Sequence, residues 1–114
     1  MKTLLERAQE LNKRLAIMEG RQKGENIEIA GKVITLCDFE FLSDEKGEEY
    51  AVYIVKELDD LFFFAGMALT EHLKTLNAEG YKDAIKSEGL PIRLTQEKSK
   101  KGRTYYAVEF VPKD

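Results

Sequence analysis

The sequence predicts a mainly β fold with α+β content: a five-stranded Greek-key barrel preceded by an extra helix. Three observations point there. Runs with strand character at 27–42, 50–57 and 61–65 follow one another across short turns. A helical segment at 66–80 then separates them from two further runs at 90–97 and 104–111. The run at 27–42 is long for one straight strand, and Gly31 within it suggests a bend or bulge that lets one strand serve two sheet faces.

The totals fit one domain. At 114 residues, with 43% hydrophobic and 34% charged, the chain is large enough to bury its own core and too apolar for disorder. One cysteine (Cys37) and one histidine (His72) exclude a disulfide framework and argue against a Cys/His zinc site. Glu6 and Arg7 interrupt the start of any signal peptide, and the longest uncharged run, 61–70, is too short to span a bilayer. A cytoplasmic location without membrane contact is expected. The net charge of −3 is unevenly divided, at +3 over 1–24, −8 over 25–60, −1 over 61–89 and +3 over 90–114. Nucleic acid binding would therefore need a local basic patch.

Taken in order, Thr3-Leu4-Leu5-Glu6 reads as a capping box, its hydroxyl and carboxylate each meeting a free backbone N–H. Leu4, Ala8, Leu11, Leu15 and Met18 follow at three- and four-residue spacing, with Leu5 and Ile17 flanking. An amphipathic helix is expected up to Gly20, its apolar face covered by the domain or by a second copy in a homodimer. Residues 21–26 read as a polar linker, dividing the chain into helix with linker (1–24) and barrel domain (25–114) within one compact unit.

From 33 to 42, Cys37, Phe39 and Phe41 are expected inward, because Asp38 and Glu40 take the other side. Residues 43–49 make an acidic, turn-rich connection. Tyr50, Val52 and Ile54 then alternate with Ala51, Tyr53 and Val55. A strand cannot point Phe62, Phe63 and Phe64 into one core, so at least one ring looks away. Leu69, Leu73 and Leu76 share a helix face before Gly80, and 81–88 form a second helical turn stopped by Gly89. Pro91 near the start of the next strand costs little there. The last two strands are joined by Lys98-Ser99-Lys100-Lys101-Gly102-Arg103, a hairpin loop with four cations in six residues. Three meandering strands, a helix and a closing hairpin are the succession of an OB-like barrel, with the helix plugging one end.

Catalytic patterns are missing. Gly31-Lys32 lacks a phosphate loop's first glycine, since Asn26 stands there, and Val33 replaces its Ser/Thr. There is no GxGxxG and no Gly-x-Ser-x-Gly elbow. His72 lies on the polar side of a Leu-rich helix, and Cys37 alternates with core residues and reads as a small hydrophobe. The carboxylate pairs Asp44-Glu45 and Asp59-Asp60 sit in turns, where Asp is common. The chain reads as a binding protein, not an enzyme, with no cofactor and no small-molecule substrate.

An OB-like barrel binds single strands on the outer surface of its second and third strands, walled by the first-second and fourth-fifth loops. On that scheme Tyr53, Phe62 and Phe64 are stacking rings with Lys56 nearby. Lys98, Lys100, Lys101 and Arg103 form a basic wall, with Tyr105 at its base. Each ring has at least as strong a claim as core filling, because small barrels need aromatics to fill them. The opposite wall, 43–49, is net acidic and would repel phosphate. A protein-interaction or DNA-mimic module using the acidic 25–60 segment is thus the competing reading.

The chain resembles the small single-stranded DNA-binding proteins of phages and prophages of Gram-positive bacteria. The resemblance is carried by Gly31-Lys32-Val33-Ile34-Thr35, by Phe62-Phe63-Phe64-Ala65-Gly66, and by the loop from Glu97 to Tyr106 with its Lys-Ser-Lys-Lys-Gly-Arg core. It implies non-catalytic, sequence-tolerant binding of single-stranded DNA during phage or mobile-element replication or recombination, often by oligomers. Val111-Pro112-Lys113-Asp114 does not match that class's flexible acidic tail, so the recruiting role of such a tail is not expected.

Overall fold

A computed structural model describes residues 3–5 and 16–112. Of the expected N-terminal amphipathic helix, Leu4 and Leu5 are helical and exposed, while its remaining stripe up to Leu15, and with it the dimer contact, lies outside the described residues.

The strands are β1 (Gln22–Lys23), β2 (Val33–Ser43), β3 (Glu49–Val55), β4 (Leu61–Phe64), β5 (Leu90–Lys98) and β6 (Thr104–Phe110). The helices are the single turn α1 (Asn26–Ile29), then α2 (Met67–Ala78) and α3 (Lys82–Glu88). Together they make a mixed α+β, mostly-strand fold around one six-stranded sheet ordered β1-β4-β3-β2-β5-β6. The β1–β4 pairing is parallel and the other pairings are antiparallel. Among the described residues no helix is long and apolar enough to cross a membrane.

Local chemistry explains the element ends. Asp44 turns the β2–β3 hairpin by accepting the Lys46 and Glu48 N–H groups on Oδ1, both at 2.9 Å. At the end of α2 the N–H groups of Gly80 and Tyr81 donate to the carbonyls of Asn77 and Leu76, a Schellman closure that needs the positive φ of Gly80. The β5–β6 loop closes through Ser99, whose N–H donates to the Arg103 carbonyl at 2.8 Å and whose hydroxyl accepts the Arg103 N–H at 3.2 Å.

The long first strand is not continuous. Residues 26–29 form α1, where the Glu25 N–H donates to the Glu28 carboxylate at 3.3 Å and Asn26 donates from Nδ2 to the Phe64 carbonyl at 2.8 Å. The bend in β2 is a register shift against β3 between Leu36 and Asp38, not at Gly31. That shift moves Cys37 off the expected inward side, so Phe39 joins the main core while Cys37 packs on the other face.

The expected five-stranded closed barrel is corrected to an open sheet: among the described residues β4 and β6 share no ladder. β4 ends at Phe64, with two residues between it and α2, and its outer edge at Leu61 and Phe62 is taken by Gln22 and Lys23. Two of the residues expected as a linker, Gln22 and Lys23, are therefore part of the sheet. Gly24 passes so close that a Cβ there would sit 2.5 Å from the Phe63 ring.

Two apolar clusters sandwich the sheet. The inner one joins Phe39, Tyr53, Phe63, Ile92 and Leu94 to Leu69 and Leu73 of α2 and Ile85 of α3. Lys82 ties α3 to β2 through a 2.6 Å ion pair with Glu40, and its ammonium lies 5.5 Å from the Phe39 ring centroid. The outer cluster is smaller: Val52, Ile54 and Phe62 beneath Ile17, with Tyr50 and Phe64 packed at its margin. Arg21 holds this strap, donating to the carbonyls of Asp59 at 2.7 Å and Ile17 at 2.9 Å. Phe63 thus faces inward and its two neighbours outward, as alternation requires.

Candidate functional site

The pairings Val52↔Phe64 and Tyr53↔Phe63 decide which aromatic side chains are available. Tyr53 shares the inner face with Phe63, stacked at 5.5 Å and 22°, and is 0% exposed. Its hydroxyl donates to Oδ1 of Asn26, and burial, with a smaller contribution from Tyr106, pushes its pKa upward. Tyr53 is a core tyrosine, which corrects its expected stacking role. Phe62, expected in the same role, faces outward but is 6% exposed in the cluster with Ile17. Neither ring can meet a ligand in this arrangement.

The outward ring of β3 is Tyr50. It is half-buried and meets the half-buried Phe64 edge-on at 5.6 Å, and Phe64 meets Phe62 edge-on at 5.7 Å. The Lys23 ammonium stands 5.4 Å from the Phe64 ring centroid, an aromatic-cation pair created by the β1–β4 pairing. Lys56 is exposed, but in the 3-10 turn at the opposite end of β3 from Tyr50, so it does not join this row.

Beyond Tyr50 the surface sinks into a groove in two compartments. One, of 510 Å³, lies between the β2–β3 loop (Asp44, Glu48, Glu49), Tyr50, and Thr70 and Lys74 of α2. The other, of 530 Å³ and more apolar, lies between Gly66–Ala68 and Thr104–Tyr106 at the seam where the sheet stays open. Met67, 83% exposed, and Glu71 line both. Thr70 fixes the floor, its buried hydroxyl accepting the Ala51 N–H at 3.1 Å.

Tyr105 is 48% exposed and stands on the strand face opposite Tyr106, which packs against the inner core. Directly before it, Lys98, Lys100, Lys101 and Arg103 are exposed, and among the described residues none of them makes an ion pair. The fold brings Phe64, Tyr105 and the basic loop to the margins of one surface. It does not bring Tyr53, Phe62 or Lys56 there. Tyr50, Lys23, Met67 and Glu71 are the residues that sequence reasoning missed. Only Tyr50 carried a signal, as an aromatic of the alternate β3 set.

The titration shifts lie away from this surface. Burial, with Asp38 next, raises the Cys37 thiol, whose Sγ lies 3.7 Å from the Ile54 carbonyl; it is held as a neutral packing group. Burial acts to raise Glu57, but hydrogen bonds from the Thr35 N–H (2.7 Å) and hydroxyl (2.8 Å) outweigh it and hold the carboxyl below its ordinary value. No family model, no curated protein and no solved structure matches the chain.

Proposed function

We propose that the protein binds single-stranded DNA along a track from Phe64 and Tyr50, past Met67, to Tyr105 and the 98–103 loop. The observation that carries this reading is a groove with Tyr50, beside Phe64, at one end and Tyr105 at the other, where the loop just before Tyr105 exposes four cations with no ion pair among the described residues. Base stacking on exposed rings contributes about 1–3 kcal/mol per base and tolerates any base. The loop cations add a phosphate term that weakens with salt. The pairing order β4-β3-β2-β5-β6 supports this reading, because an OB barrel opened between its third and fifth strands would have the same order, and such barrels bind between the loops that correspond here to β2–β3 and β5–β6. Replication or recombination of a phage or mobile element is the setting that the resemblance suggests.

One observation favours a second reading. The far end of the groove is walled by Asp44, Glu48 and Glu49, which suits a basic protein segment better than a nucleic acid backbone.

Fluorescence anisotropy of a labelled dT oligonucleotide, titrated at two salt concentrations, distinguishes the two. Saturable binding that weakens steeply with salt is expected, with a log–log slope near −3 if all four loop cations meet phosphates, at about −0.7 each. The double variant Lys100→Glu with Lys101→Glu should weaken binding and flatten that slope while keeping the wild-type circular dichroism. No binding at low salt by folded protein would overturn the proposal and turn the search to protein partners.

A further inference from the structure

We infer that the apolar compartment at the β4–β6 seam is a base pocket that prefers guanine. The inference rests on the single-strand reading above, and adds one selective position to an otherwise tolerant track.

The compartment offers Met67, the tyrosines of β6 and the chain at Gly66 and Ala68, and its one charged lining residue is Glu71. A phosphate placed there would be repelled by that carboxylate, whereas a neutral base would not. Arg103 immediately precedes the lining residue Thr104, so the backbone has a cationic path outside the pocket while a base turns in.

An ionised carboxylate only accepts hydrogen bonds. Guanine presents N1–H and the 2-amino group side by side, two parallel donors for one carboxylate. Adenine and cytosine present one amino donor, and thymine a single N–H between two carbonyl oxygens that the carboxylate repels. Lys74 lines the adjoining compartment and holds its ammonium 3.7 Å from the Glu71 carboxylate, so it offers a donor beside that carboxylate, as O6 next to N1–H of guanine requires. Both side chains are reachable, with Glu71 66% and Lys74 38% exposed.

The test compares three oligonucleotides of equal length by anisotropy with the full chain: all dT, the same with one central dG, and the same with deoxyinosine, which lacks the 2-amino group. The dG oligonucleotide should bind roughly ten-fold tighter than dT, the scale of one good bidentate contact. Deoxyinosine should lose most of that gain. Glu71→Gln should abolish the preference, read as the ratio of dG to dT affinity within the variant, while keeping the wild-type melting temperature, because the Glu71 side chain is exposed. Equal affinity for all three, or a dG preference that survives in Glu71→Gln, overturns the base pocket and leaves the single-strand reading standing. Binding of none of the three at low salt overturns both.

Discussion

The two faces of β3 and β4 carry the same pair of side chains in opposite surroundings. On the inner face Tyr53 stacks on Phe63, fully buried, with its hydroxyl bonded to Asn26. On the outer face Tyr50 meets Phe64 edge-on, and both stay half-buried beside Lys23. A Tyr–Phe pair is core in one place and half-exposed surface in the other. What separates them is strand parity and cover: α2 and α3 pack over the inner pair, while the 16–18 turn reaches Phe62 but leaves Tyr50 and Phe64 at its margin. Residue type alone does not make a stacking ring.

The contrast breaks most visibly in stability. Tyr53→Ala should cost about 3–5 kcal/mol, since it opens a cavity beside Phe63 and strips Asn26 of a donor. Tyr50→Ala should cost well under half of that by urea denaturation; equal losses would mean that both faces are core. Gly24→Ala loads the inner face from the strap side, pressing a methyl on the Phe63 ring, and should cost about 1–3 kcal/mol. A neutral result would show that the strap shifts freely.

In binding the order reverses. Tyr50→Ala and Phe64→Ala should each weaken oligonucleotide affinity by about 1–3 kcal/mol. A variant kept conservative on the inner face, Tyr53→Phe, should bind like wild type, and a loss there as large as in Tyr50→Ala would break the comparison.

The smallest expected effect is at Glu57, which accepts the Thr35 N–H next to the β2 bulge, away from both ring pairs. Its folded pKa lies below the ordinary 4.5, so its stabilisation is present above that value and lost as pH falls through the depressed one. The stability advantage of wild type over Glu57→Gln should therefore be constant from pH 7 to about 5 and shrink below 4.5. Chemical denaturation at a series of pH values reads it. A gap that is unchanged at pH 3 would show that the charge of Glu57 does not contribute.

Much of the site was legible for a local reason. Four cations in a Gly-containing hairpin, followed by Tyr105, can be read directly from adjacent residues. Phe62 faces outward as a stacking ring would, but Ile17, distant in sequence, covers it; the inward place of Tyr53 is hidden because β3 is apolar on both faces. With Tyr50, Val52 and Ile54 matching Ala51, Tyr53 and Val55, periodicity gives no sign of which set faces in. Met67 and Glu71 had no signal, since they gain their place from the start of α2 approaching β6, a contact between distant segments.

The sequence by itself determined the order of strands and helices from β2 to β6, the two hairpin loops and the stops at Gly80 and Gly89. These are set by turn chemistry and backbone hydrogen bonds within a few residues. The tertiary structure alone decided the bulge that turns Cys37 outward, the capture of Gln22 and Lys23 as a parallel strand, and the seam left open beside Met67. Each of these depends on which edge or face a distant segment covers, and that competition for burial and for unpaired strand edges is settled only when the whole chain packs.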